Sequence, residues 1–182
     1  KYSYIISMKV GEAHGILWLV ATPIGNLKDF SIRGAEVLGQ VDQIACEDTR
    51  ITKRLLDFLN LSKPLVSYRE ENEKVKSLEL VKLIESGQSI ALVSDAGYPG
   101  ISDPGFRLVR ECRRRKINVC PIPGANAAIT TLASSGLPTH QFLYLGFLIM
   151  ELYSQNIILF ISIIIIYLCQ IIFRIFVTII LK

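Results

Sequence analysis

Ile90-Ala91-Leu92-Val93-Ser94-Asp95-Ala96-Gly97-Tyr98-Pro99-Gly100-Ile101-Ser102-Asp103-Pro104-Gly105 is the stretch on which the reading of the fold turns. Its first four residues form a compact apolar run, as expected of a strand buried on both faces. Asp103-Pro104 reads as a helix start, with the Asp as N-cap and the Pro at the first helical position. From Ser94 to Gly105 lie three glycines, two acids and two prolines. Such a loop is stiff, and its backbone can approach a ligand closely. It is also longer than the roughly 2–6 residues of an ordinary strand-to-helix turn. A small-molecule site is the preferred reading.

Upstream, the same pattern repeats. Ile16 to Ala21 is a continuous apolar run that breaks at Thr22-Pro23-Ile24-Gly25-Asn26. A helix is expected from about Ser31 to Gly39. Val41 to Cys46 is a second strand ending in Glu47-Asp48-Thr49-Arg50, where Asp48 or Thr49 caps a helix. That helix carries Ile51, Leu55, Phe58 and Leu59 at helical spacing. Pro64 to Ser67 is a short third strand, and Tyr68 to Glu73 is polar and charged. Asn72 is the expected cap of a helix bearing Val75, Leu78, Val81 and Ile84, closed by Gly87.

Downstream, Phe106, Val109 and Cys112 are expected to face inward, with Arg107, Arg110 and Arg113 to Lys116 outside. Ile117 to Ile122 is the fifth strand, and a small-residue helix runs from about Ala125 to Ser135. Strands alternating with amphipathic helices mean βαβ units. The fold class is α/β, a mostly parallel sheet with flanking helices. Ligands of such sheets bind outside the carboxyl ends of the strands. Four decorated loops follow strands here, so four loops converge on one edge.

Several chemistries are disfavoured. No G-x-G-x-x-G opens the first helix, no G-x-x-x-x-G-K-[ST] is present, and Ser94 and Ser102 lack a G-x-S-x-G elbow. The four cysteines show no C-x-x-C spacing and the two histidines lie far apart, so no metal site is expected. Nothing suggests a disulfide framework, which makes a reducing, cytoplasmic compartment the default. A net charge of +4 is compatible with RNA without pointing to it. What remains is a Gly/Pro-lined crevice with a few acids, suited to a cationic or polar organic ligand.

At these loops the chain resembles a known family. Val20 to Asp29, Glu47-Asp48-Thr49-Arg50, Glu71-Asn72-Glu73, Asp95 to Gly105 and Pro121 to Ala127 match, in order, the motifs of the ribosomal RNA small subunit cytidine 2′-O-methyltransferases. These belong to the tetrapyrrole methylase superfamily (class III S-adenosylmethionine methyltransferases). The resemblance covers about Ile16 to Phe147. It implies the N-terminal domain of a two-domain α/β fold, with S-adenosyl-L-methionine bound between the domains. The product would be 2′-O-methylated cytidine in 16S rRNA, and the full-length family implies a homodimer and the small ribosomal subunit as partner. Methylation of a porphyrinoid or a protein side chain is the alternative within the superfamily.

By the same resemblance, cofactor contacts fall to Pro23, Asp95, Ala96, Gly97, Pro99, Gly100, Ile101, Ser102, Asp103, Gly124 and Ala125. A base that removes the ribose hydroxyl proton is sought by position among Glu47, Asp48 and Asp29, although Asp48 reads first as a helix cap. Arg50 and Arg54 are candidates for RNA phosphate, with a solvated helix face as the equal alternative. Tyr98 departs from the family, which often has a smaller residue there.

Residues 1–15 read as an N-terminal extension, 16–122 as the methylase domain and 123–147 as the start of a second α/β domain. From 148 to 182 the composition becomes Ile-rich and unlike the family. Residues 157–181 are long enough to span a bilayer, which takes about 20 apolar residues, and would make the chain membrane-associated. An out-of-frame translation of AT-rich sequence is the other reading, favoured by the abrupt break inside a domain. On either, the chain is expected to lack one wall of the cleft and to be a non-catalytic fragment as it stands.

Overall fold

The computed structural model describes residues 15–146. These fall into two units, one running through Leu137 and one starting at Pro138. Residues 138–146 of the second contain no helix or strand. The Ile-rich tail lies outside the described residues. Among the described residues, no helix is long and apolar enough to cross a membrane.

The first unit alternates strands and helices. They are β1 (Ile16–Val20), α1 (Ile32–Gln40), β2 (Gln43–Cys46), α2 (Thr49–Phe58) and β3 (Leu65–Ser67), then α3 (Glu73–Glu85), β4 (Ile90–Val93), α4 (Phe106–Arg114), β5 (Asn118–Ile122) and α5 (Ala127–Ser134). The strands form one sheet in the order β3-β2-β4-β1-β5, every pairing parallel. Trp18 lies opposite Ala91 on one side and Cys120 on the other. Pro121 is tolerated because β5 is an edge strand with no ladder partner beyond it.

Strand alternation sends side chains to two cores. Val20, Ile44, Cys46, Ala91 and Val93 point to one face, where Val37 and Leu38 of α1 and Leu55 and Leu56 of α2 cover them. Leu17, Ala45, Ile90 and Leu92 point to the other, under Leu80, Val81 and Ile84 of α3 and Leu108 and Cys112 of α4. The chain therefore leaves β1 and β2 over one face and β3 and β4 over the other. Because β4 lies between β2 and β1, both its neighbours send the chain to the opposite face. A crevice opens on each side of its carboxyl end.

The buried faces of three helices differ from those expected. In α2 the buried residues are Thr52, Leu55 and Leu56, whereas Ile51 and Phe58 are exposed. In α3 they are Glu73, Ser77, Leu80, Val81 and Ile84, with Val75 and Leu78 outside. In α4 they are Leu108 and Cys112; Phe106 is exposed, and the Arg110 guanidinium lies 5.2 Å from its ring centroid. In α2 and α3 hydrogen-bonded polar residues occupy part of the inner face, so counting apolar residues alone misplaces the stripe.

Two helix starts also differ. α4 begins at Phe106, with Gly105 rather than Asp103 at the N-cap position. Asn72 precedes α3, but its carboxamide accepts from the Arg69 N–H instead of capping the helix. Elsewhere Ser31, Asp48 and Asn126 cap α1, α2 and α5 through their side chains.

Candidate functional site

Three of the strand-end loops are tied together by backbone. Thr22, just after β1, forms an antiparallel bridge with Gly97, just after β4: each N–H donates to the other's carbonyl, at 2.8 and 3.1 Å. The buried Thr22 hydroxyl also donates to the Ser94 carbonyl at 3.0 Å. Gly97 turns at φ +89°, where a side chain is disfavoured. On the β5 side Gly124 packs so closely on Ala21 that a Cβ there would lie 2.8 Å from the Ala21 Cβ. The loop after β2 joins through Asp95, whose Oδ1 accepts from the Asp48 N–H at 3.0 Å.

Two hollows flank the end of β4. Towards β2 lies one of about 530 Å³, lined by Glu47, Asp48, Glu71, Asp95, Asp103, Ser102 and Arg69 among others. Its carboxylates crowd one another. The Glu47 carboxyl is raised above its ordinary range by burial first, then by Asp95 and Asp103. Asp103 is raised by burial and by Asp95, with the Ser94 hydroxyl pulling the other way. Asp48 differs: hydrogen bonds from Arg50, side chain and backbone, hold it well below the usual carboxylate range. An already paired helix cap is a poor proton acceptor, which separates Asp48 from Glu47.

Towards β1 lies a smaller hollow of about 260 Å³, lined mainly by apolar surface from Pro23, Leu27, Ile51 and Leu55. Thr22, Ser94, Asp95 and Arg54 supply its polar groups. Asp95 therefore borders both hollows.

The candidates separate accordingly. Asp95, Ser102, Asp103, Glu47, Asp48 and Arg50 line the acidic hollow. Pro23, Asp95 and Arg54 line the apolar one. Ala96, Gly97, Pro99, Gly100 and Ile101 line neither; Gly97 and Gly100 shape the turn at positive φ, and Pro99 is buried beneath it. Gly124 and Ala125 lie in the turn after β5 and border neither hollow. Asp29 sits in a short 3-10 turn, Leu27–Asp29, whose Leu27 lines the apolar hollow, but Asp29 itself lines neither. Tyr98 is half-buried, and its hydroxyl is pushed up by burial first and then by nearby Cys120, with Arg33 opposing.

The polar segment from Tyr68 to Glu73 holds what the sequence reading missed. Tyr68 and Glu73 are both buried. Glu73 Oε1 accepts from the Tyr68 hydroxyl at 3.0 Å, the Gly105 N–H at 3.0 Å and the Arg107 N–H at 3.1 Å. Its Oε2 faces Arg107 Nε at 3.3 Å. The Tyr68 proton is engaged with Glu73, so the Ser77 hydroxyl, 2.9 Å away, donates to Tyr68. A tyrosine at a strand end followed five residues later by an acid at a helix start is a local signal for such a pair.

A doubly wound parallel sheet with glycine-turned loops meeting at a switch point defines the class: an α/β protein of the kind whose ligands bind outside the carboxyl ends of the strands. Residues 16–154 match the family model of the tetrapyrrole (corrin/porphyrin) methylases, and the chain belongs to that family. Among curated relatives, the "Ribosomal RNA small subunit methyltransferase I" of Halalkalibacterium halodurans is 53% identical over 134 residues, 74% of this chain and 46% of the relative. The protein of that name from Synechocystis is 54% identical over 134 residues, 74% and 48% respectively. The chain thus spans about half the length of the curated relatives it matches. Of solved structures, a diphthine synthase superposes with a TM-score of 0.56 at 21% identity, over 68% of this chain and 50% of that one. A uroporphyrin-III-C-methyltransferase from Thermus thermophilus gives 0.53 at 22%, over 68% and 54%. These two likenesses establish the fold.

Proposed function

We propose that this chain is the N-terminal part of an S-adenosylmethionine-dependent methyltransferase that modifies small-subunit ribosomal RNA, at the 2′-hydroxyl of a cytidine. The observation that carries the reading is the identity of about half of 134 residues to relatives named for that RNA. The crevice chemistry supports the cofactor. A sulfonium with an ammonium group is cationic. The acidic hollow offers crowded carboxylates that are raised by burial first and, after it, by the negative charge of their neighbours. A cation placed there offsets that charge.

Asp95, Ser102 and Asp103 would hold the methyl donor, with the Thr22–Gly97 bridge fixing the loop behind them. S-adenosylmethionine supplies an electrophilic methyl group when bound. The chain's own part is to hold the ribose hydroxyl in line and exclude competing water. Glu47 is the group placed to take the hydroxyl proton. Arg54, at the rim of the apolar hollow, is placed to meet a phosphate of the RNA.

The test is to incubate the gene product containing this chain with tritiated S-adenosylmethionine and small ribosomal subunits, then digest the RNA to nucleosides. Label in 2′-O-methylcytidine is expected. Unlabelled RNA, or label only in a porphyrinoid or a protein offered in parallel, overturns the reading.

A further inference from the structure

The loop after β4 carries its own capping candidate, Asp103, three residues before the first residue of α4, yet the structure does not use it. Gly105 occupies the N-cap position and has no side chain. Two of the N–H groups at the start of the helix, those of Gly105 and Arg107, go instead to Glu73, which arrives from the start of a different helix. One carboxylate thus sits at the amino ends of both α3 and α4, where two helix dipoles favour negative charge. It is buried, and a buried carboxylate is tolerated only when its oxygens are satisfied. Here Tyr68, two backbone N–H groups and Arg107 satisfy them.

Capping from a distance has a geometric result. If Asp103 capped α4, its carboxyl would fold back onto the helix. With Glu73 in that place, Asp103 lines the acidic hollow beside Asp95. The turn that permits this is tight: Ser102 has φ +59°, and a Cβ on Gly105 would lie 3.0 Å from both the Cα and the N of Gly100.

We propose that Glu73 is a positioning residue for the cofactor loop. By capping α4 from α3 it sets the Gly100–Gly105 turn and keeps Asp103 facing the crevice. The effect on cofactor rests on the methyltransferase reading; the effect on the loop does not.

The test uses the full chain and two variants. Glu73→Gln keeps the shape and removes the charge. Ser77→Ala loosens the same buried network one bond farther from the loop. Hydrogen exchange at Gly105 and Arg107 is expected to quicken by about tenfold in Glu73→Gln, the loss of a charge-assisted bond. It should hold at the wild-type rate in Ser77→Ala, even where both variants melt earlier. S-adenosylmethionine affinity, by calorimetric titration, is expected to fall about tenfold in Glu73→Gln and less than twofold in Ser77→Ala. Wild-type exchange at both amides in Glu73→Gln, or equal losses in the two variants, overturns the proposal. Should the wild type itself bind no cofactor, as a chain lacking one wall of the cleft would, the exchange rates alone decide the role of Glu73, and the methyltransferase reading is judged by the RNA labelling above. Should Glu73→Gln fail to fold, Tyr68→Phe removes a single bond to the same carboxylate. Unchanged exchange at Gly105 and Arg107 there overturns the proposal.

Discussion

The two hollows beside β4 share a wall and differ in almost everything else. The one towards β2 is large, acidic and held by side chains: Asp95 on the Asp48 N–H, Glu73 on α4, Arg69 Nε on the Glu47 carbonyl. The one towards β1 is small, mainly apolar and held by backbone, through the Thr22–Gly97 bridge. A site held by charges responds to pH and to single charge changes. A site held by a peptide bridge responds to backbone geometry and to buried donors.

Gly105→Ala is expected to break the acidic side most severely. The new methyl meets backbone at 3.0 Å and Leu92 at 3.1 Å, at a φ of +152° that disfavours any side chain. A loss of about 3 kcal/mol in urea denaturation is expected, at the upper end for strained backbone. A cost below about 1 kcal/mol would show that the turn yields.

Thr22→Val addresses the other side. It leaves the buried Ser94 carbonyl without its 3.0 Å donor. The expected cost is about 1–2 kcal/mol in the same measurement. The backbone bridge should survive, so Glu47 should titrate as in the wild type.

Asp95→Asn is aimed at the shared wall. The amide oxygen still accepts from Asp48, so the fold should hold, but the acidic hollow loses a charge. Cofactor affinity is expected to fall about tenfold, or about 1.4 kcal/mol. By NMR, Glu47 and Asp103 should both titrate lower than in the wild type, since Asp95 raises both. Unmoved titrations would mean the carboxylates do not act on one another.

Asp103→Asn should give the smallest effect, and its sign is fixed. Asp103 and Glu47 have folded-state values above their ordinary 3.8 and 4.5. Their contribution to stability is therefore full below those values and is lost as pH rises through the raised ones. The variant is expected to be more stable than wild type at pH 7, by about 0.3 kcal/mol once solvent screening is allowed for. It should lose that advantage below about pH 4. Asp48 runs the opposite way: its pairing with Arg50 supports the fold above the ordinary value and fails as pH falls through its depressed one. A melting-temperature profile from pH 3 to pH 8 separates the two signs.

The strands are legible in the sequence because each is a short, largely apolar run, and β4, buried throughout, shows what burial on both faces of a parallel sheet requires. The loops are legible because positive φ demands glycine, as at Gly97 and Gly100. What does not show is partnership at a distance. Glu73 reads as part of a charged segment because three of its four contacts come from Gly105 and Arg107, more than thirty residues farther along the chain. Asp103 reads as a cap because local rules see only the residue nearest the helix. Thr52 and Ser77 are buried, yet a stripe drawn through apolar residues leaves them out, because polarity is local and burial is not. The division into two hollows follows from strand order, and β4 takes its place between β2 and β1 only through long-range pairing.

That strand order also has a consequence for synthesis. β1, among the first described residues, hydrogen-bonds only to β4 and β5. As the chain emerges, Leu17, Leu19 and Val20 must wait for α1, β2, α2, β3 and α3 to follow before a neighbour exists. A nascent chain that has released β3 but not β4 is a set of strands without its centre. Non-local pairing of this kind folds slowly. An apolar strand kept waiting is what holding chaperones recognise. Ribosome-stalled chains ending before Ile90 should therefore stay protease-sensitive, and protection should appear in one step once β4 has cleared the exit tunnel.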